Sequence, residues 1–191
     1  TYKEDGYDEE GNLKYVDRDG NGVLNNDDKF ITGDPNPDFT YGLNSDIRFK
    51  DFEFSFFFQG SQGNDVFNVA ETANLDYGVN LNVRKDVLYS HWSPGNTDAQ
   101  NASAKYPRIT RKLTMNYSDR YVENGSYLRL KNISLGYSLP KELVNNFGID
   151  KLRLYVAGNN LITFTKYSGL DPDFVNKDVW NRGTDSFAFP N

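Results

Sequence analysis

Residues 52–58 read Phe-Glu-Phe-Ser-Phe-Phe-Phe, and no other stretch limits the possible folds so sharply. Successive side chains of a strand point to opposite faces, so this alternation gives one face of Phe52, Phe54, Phe56 and Phe58 against Glu53, Ser55 and Gln59. On a helix the same rings would spread around the axis. The preceding segment has the same period: Tyr41, Leu43, Ile47 and Phe49 alternate with Gly42, Asn44, Asp46 and Arg48. Lys50-Asp51 between them predicts a hairpin with a tight turn. A third strand places Ile133, Leu135, Tyr137 and Leu139 opposite Ser134, Gly136 and Ser138. Leu128 and Leu130, just before it, are in the other phase, which predicts a bulge near Lys131-Asn132 or a change in what each face meets. A fourth puts Leu152, Leu154, Val156, Ile162 and Phe164 on one face and Arg153, Tyr155, Asn159, Thr163 and Thr165 on the other. The strands are expected at Thr40–Lys50, Phe52–Gly60, Ser126–Leu139 and Leu152–Thr165.

These strands explain an odd composition. The 191 residues include 14 Phe, 13 Tyr and 2 Trp, yet mean hydropathy is -0.72. No run approaches the ~20 apolar residues of a membrane-spanning helix. A β-barrel stays open, because barrel strands are short and apolar on one face only. Net charge is -6 with no basic cluster, so nucleic acid is not an expected partner. There is no Cys and a single His, His91, which removes disulfides, thiolate chemistry and His-based metal sites or triads. Neither a phosphate loop nor a GxSxG motif is present, no carboxylate pair is seen to converge, and no catalytic residue is named: the chain is not expected to be an enzyme. The opening Thr1-Tyr2-Lys3-Glu4-Asp5 carries no secretion signal, so either the protein is not exported or this is not its natural N-terminus.

The connections alternate between short and long. Residues 1–37 and 61–125 are rich in Asp, Asn and Gly and are expected as loops, the second with a short helix at Val83 to Tyr89 ended by Ser93-Pro94-Gly95. Residues 38–60 and 126–165 are expected as hairpins, the latter with a helical turn at 140–148 ended by Gly148. Residues 166–191 are expected as loop, without a final strand. Outer-membrane barrels have this asymmetry of short periplasmic turns and long external loops. A soluble antiparallel sandwich also alternates, and periodicity does not separate the two. Among loop rings, Trp92, Tyr106, Trp180 and Phe187 either pack their own loops or offer stacking surfaces; Trp92 and Trp180 are the candidate ligand contacts.

The sharpest local motif is Asp17-Arg18-Asp19-Gly20-Asn21-Gly22-Val23-Leu24-Asn25-Asn26-Asp27-Asp28. Its spacing fits a calcium loop: oxygen side chains at positions one, three and five (Asp17, Asp19, Asn21), Gly22 for the sharp turn, the Val23 carbonyl, and Asp28 at position twelve. Asp28 is shorter than the usual Glu, and Gly11-Asn12 and Gly33-Asp34-Pro35 interrupt any flanking helices. A metal-free Asx-rich turn is the other reading of the same residues.

The segments Asp38-Phe39-Thr40-Tyr41-Gly42, Ser90-His91-Trp92-Ser93-Pro94 and Gly125 to Pro140 (GSYLRLKNISLGYSLP) resemble the C-terminal part of the SusC/RagA-like TonB-dependent outer-membrane transporters. Leu154-Tyr155-Val156-Ala157-Gly158-Asn159-Asn160-Leu161 and Tyr167-Ser168-Gly169-Leu170-Asp171-Pro172-Asp173 continue the resemblance. It implies an all-β fold, antiparallel strands of a transmembrane β-barrel, about four strands of a 22-stranded barrel with long external loops. It also implies residence in the outer membrane of a Gram-negative bacterium and import of glycans or peptides. The implied partners are a SusD-like surface lipoprotein and the TonB complex. On that basis Phe52, Phe54, Phe56, Ile133, Leu135, Leu152, Leu154 and Val156 are expected to face lipid, and the aspartate-rich loop is expected to be external. Plug, TonB box and earlier strands are not in the chain, which looks like about a fifth of such a transporter. The competing expectation is a secreted, calcium-stabilised β-sandwich that binds a ligand.

Overall fold

A computed structural model of the chain describes residues 1–75, 84–110, 116–174 and 181–186. In chain order the strands are β1 (Glu4–Tyr7), β2 (Leu13–Tyr15), β3 (Phe39–Phe49), β4 (Phe52–Gln62), β5 (Asp65–Asn68), β6 (Val122–Asn124), β7 (Tyr127–Ser138), β8 (Arg153–Thr165) and β9 (Thr184–Asp185). The helices are α1 (Val69–Leu75), α2 (Lys85–Ser90), α3 (Asp98–Ala102) and α4 (Lys141–Asn145). These elements fall into two compact units, one of Asn36–Asn64 and Asn124–Tyr167, the other of Thr1–Pro35, Asp65–Glu123 and Ser168–Asn191.

The first unit is a four-stranded antiparallel sheet in the order β3-β4-β7-β8. Its strands run 11, 11, 12 and 13 residues, long enough to cross a bilayer, which takes ~9–11 residues of tilted strand. Register carries the alternation across the whole sheet. Ile47 pairs with Phe54, Phe54 with Leu135 and Leu135 with Val156, so one apolar row crosses all four strands. The bulge expected at Lys131-Asn132 is present. Phe57 pairs with Asn132 but Phe58 with Leu130, and on the other side Asn132 and Leu130 face Asn159 and Ile162. Skipping Lys131 restores Leu128 and Leu130 to the face of Ile133 and Leu135. Asn160 adopts φ 51° at this point, as a two-against-one bulge allows for Asn.

At one end the connections are short. Lys50-Asp51 turns β3 into β4, with Lys50 at φ 53°. α4 joins β7 to β8 and closes when Gly148, at φ 69°, donates to the Asn145 carbonyl. Leu152, expected in the strand, precedes it, and its carbonyl accepts the Leu139 amide.

The second unit departs from the loops expected there. Residues 1–37 hold the β1–β2 hairpin and a 3-10 turn at Asn26–Asp28; residues 61–125 hold β5, β6 and three helices; and the tail holds β9, parallel to β5. The reason is length. Strands of two to four residues, several of them paired with partners far along the chain, carry too few positions to display a period. The helix expected from Val83 is found as α2, with Val83 itself outside the described residues. The five expected segments are therefore interleaved, the two hairpins forming one unit and the intervening segments the other. The small core of this unit is Val87 and Tyr121, packed by Phe67, Tyr106 and Ile109.

Candidate functional site

The four-stranded sheet presents two unlike faces. The apolar one carries Leu43, Ile47, Phe49, Phe52, Leu135, Leu154, Val156, Ile162 and Phe164, all exposed. Phe54, Phe56 and Phe58 form a column along β4, their centroids 5.7 Å apart at each step. Rings gather towards both ends: Phe39 beside Tyr41 at one, Phe52 against Tyr137 at the other. Such a face in water would be far larger than the few hundred Å² that a soluble monomer ordinarily exposes.

The opposite face is polar and hydrogen-bonded across strands. Ser55 Oγ meets Ser134 Oγ at 2.8 Å, Asn132 Nδ2 donates to Asn159 Oδ1 at 2.7 Å, and Arg129 Nε donates to Thr163 Oγ1 at 2.9 Å. Arg153 pairs with Glu53 at 2.6 Å. Arg129 is only 2% exposed, its guanidinium over the Tyr127 ring. No single residue here announces itself in sequence, but its polar phase in β7 does: Arg129 sits between Leu128 and Leu130. The outer edges of β3 and β8 have no strand partner within the described residues. Long apolar edges of that kind require further strands.

In the other unit, the acidic loop is built as a turn of stacked side-chain acceptors. Asp17 Oδ1 and Oδ2 accept the amides of Gly20 and Gly22 at 2.8 and 2.7 Å, and these glycines adopt φ 71° and 78°. Asp19 accepts from Asn21, and Asn21 Oδ1 from the Val23 amide. Asp28 is wholly buried and holds the amides of Arg18 and Asn25. The Gly22 amide, foremost, holds the Asp17 carboxyl below its ordinary range. Asp17, Asp19 and Asp28 bring carboxylate oxygens within 4.8 Å of one another. Three anions this close, all oxygen donors, suit a hard divalent cation. The Asn21 and Val23 oxygens already accept one hydrogen bond each, the Val23 carbonyl from Asn25 Nδ2, and each keeps a second lone pair.

Trp92 lines an open groove of about 670 Å³ with Tyr7, Asp98, Lys105 and Arg120. Its ring packs over Gly11, where a Cβ would overlap it. Polar neighbours are largely engaged: Asn101 with Ser93 and Asn96, and Arg120 in a bidentate pair with Glu4 at 2.7 and 2.5 Å. Trp180 lies outside the described residues. Two ionic clusters were not legible in the sequence. One is Glu4–Arg120, 116 residues apart in sequence. In the other Arg84 binds Glu71 and Asp86, and this guanidinium, above all, keeps the Asp86 carboxyl well below its usual range.

No known protein-family model matches the chain. Individual relatives do. TonB-dependent receptor P3 of Formosa agariphila is 39% identical over 187 residues, 95% of this chain and 18% of the relative. TonB-dependent receptor SusC of Bacteroides thetaiotaomicron is 33% identical over 173 residues, 87% of this chain and 16% of the relative. The chain belongs to the SusC/RagA-like TonB-dependent receptors. Solved structures agree. The RagAB peptide importer superposes with a TM-score of 0.69 in its closed-closed state and 0.70 in its open-open state, at 26% and 25% identity, over 90% of this chain and 20% and 19% of the solved chains. The sheet of this receptor chain is thus of the transmembrane-barrel kind, and a β-sandwich is excluded as its architecture. The chain spans less than a fifth of the curated relatives' length.

Proposed function

We propose that the chain contributes four strands, with their long connections, to the outer-membrane barrel of a TonB-driven importer of glycans or peptides, the apolar sheet face turned to lipid and the polar face to the lumen. The observation that carries this is the pair of faces itself: an uncovered apolar surface across four bilayer-length strands, backed by a cross-linked polar one. The mechanism is passage rather than bond chemistry. Hydrogen bonds such as Asn132–Asn159 and Glu53–Arg153 hold the wall rigid against a moving ligand, and lumenal polar groups keep water in the path. A SusD-like lipoprotein would close the external mouth, and TonB would supply energy through parts of the receptor beyond this chain. The structural neighbour is a peptide importer, and the family resemblance read from the sequence adds glycans as the second cargo class. Uptake of labelled oligosaccharides and oligopeptides, with the intact receptor present or deleted, separates them; uptake of both sets unchanged by deletion contradicts the proposal. Trp92 is the candidate ligand contact of the groove it lines, and unchanged uptake by Trp92→Ala would remove it.

We also propose that the external loop binds calcium through Asp17, Asp19 and Asp28, completed by Asn21 and the Val23 carbonyl. Bound there, the ion would supply positive charge that relieves the repulsion of three carboxylates and fixes the loop. Calorimetric titration of the intact receptor should show calcium uptake that Asp19→Asn weakens at least tenfold. Absence of uptake by the unaltered protein would leave a metal-free Asx turn.

A further inference from the structure

The apolar face of the sheet changes character abruptly at the end where the long connections leave. Tyr41, Gly60, Leu128 and Phe164 form one cross-strand row on that face. Gly60 contributes no side chain, and the Tyr41 ring lies in the place a Cβ would take. The Tyr41 hydroxyl donates to the Tyr127 carbonyl at 3.4 Å. Two residues further out come Phe39 and Gln62 at the ends of β3 and β4, with Ser126 just before β7 and Lys166 just after β8, so about 7 Å from the Tyr41 row amide, hydroxyl and ammonium join the Phe39 ring. Both chemistries share one open groove of about 380 Å³. Lys166 is a cation in its lining, and among the described residues no Asp or Glu lines it, although the chain carries 27 acidic residues.

We propose that this groove seats a phosphate-bearing glycolipid of the outer leaflet, its acyl chains on Leu128 and Phe164 and its phosphate at Lys166 and Ser126. The proposal rests on the barrel reading given above. Three observations favour a lipid over a soluble anion. The groove is continuous with the face that meets hydrocarbon. It lies at the long-loop end, which is the external end of an outer-membrane barrel. Its described lining pairs the apolar shelf of Leu128 and Phe164 with a rim of Gln62, Ser126 and Lys166 that carries no carboxylate, the layout an anionic amphiphile fits.

The test is native mass spectrometry of the intact receptor titrated with diphosphorylated lipid A, with its dephosphorylated form, and with inorganic phosphate as competitor. Lys166→Gln should weaken lipid A binding about fivefold, the factor that corresponds to about 1 kcal/mol for one cation at an anionic surface. Removing the lipid's phosphates should cost the same factor, and Lys151→Gln, at the opposite end of the sheet, should cost nothing. Equal binding by Lys166→Gln and the unaltered receptor overturns the proposal, and so does displacement of lipid A by phosphate alone. A nitroxide at position 156 keeps the two levels apart. If it is inaccessible to membrane-dissolved oxygen, the barrel reading itself fails; if it is accessible while Lys166→Gln changes nothing, only the lipid site falls.

Discussion

Placing an arginine at position 156 and, separately, at position 157 probes the two faces with one substitution. Val156 is 67% exposed on the apolar face, and Ala157, its neighbour, is on the polar one. The aromatic rows at Tyr41 and Phe49 bracket the apolar band, and the row Ser45–Phe56–Ile133–Gly158 lies midway. Val156 is two residues from that middle, about 7 Å along the strand and about 5 Å in depth at a tilt of about 40°. Arginine on the lipid face costs ~2–4 kcal/mol at the midplane and ~0–1 near the interface of a band ~25 Å tall. Interpolation gives about 2 kcal/mol for Val156→Arg, a factor of about 30 in the folded population. Ala157→Arg lies on the polar face and should cost below about 0.5 kcal/mol. The assay is reversible urea unfolding of the intact receptor in lipid vesicles, followed by heat-modifiable gel mobility. Equal costs at the two positions, or a larger one at 157, would refute the assignment of faces.

The remaining predictions concern particular contacts. Glu4→Gln should loosen the β1–β2 hairpin, because Glu4 and Arg120 side chains are only 16% and 17% exposed and one partner of a largely buried pair is then stranded; about 2 kcal/mol of local stability should be lost, seen as faster proteolysis within residues 1–35. Unchanged cleavage would contradict it. Gly60→Val should force the Tyr41 ring outward and crowd the Tyr127 carbonyl, which a Cβ would approach to 2.7 Å; a cost of about 1–3 kcal/mol in the same unfolding assay is expected. Asp17 is held below the ordinary 3.8 by amide hydrogen bonds, so its contribution to loop order is present above that pH and is lost as pH falls through the lower folded value. Exchange of the Gly20 and Gly22 amides should stay protected at pH 5 and rise only in strong acid; protection already lost near pH 5 would contradict the geometry.

The sheet was legible because its strands are long and set an apolar face against a polar one. Phe52 to Phe58 announced β4, and of the two explanations for the clash of phase between Leu130 and Ile133 the structure shows the bulge near Lys131-Asn132. The acidic loop was legible because its carboxylates are local, spread over only twelve residues. What escaped was non-local. β5 and β9 pair over more than a hundred residues, and Glu4 finds Arg120 only after the fold is made. One missed element did leave a mark: Thr97 and Gln100 form the capping box of α3, and their Thr-x-x-Gln spacing is the signature of a helix start. The change of chemistry from the Tyr41 row to Gln62, Ser126 and Lys166 also needed the fold, since it gathers residues from four separate places in the chain.

The assignment of the two sheet faces turns on which residues touch hydrocarbon. Single cysteines introduced along β7 of the intact receptor, where these 191 residues contribute no native cysteine, can be spin-labelled and read in bilayers by oxygen and nickel-chelate accessibility. Positions 128, 130, 133, 135 and 137 should favour oxygen and positions 127, 129, 132, 134 and 136 the chelate, with the parity switching at Lys131. A scan of uniform accessibility, or one that alternates straight through Lys131 without the switch, would contradict it.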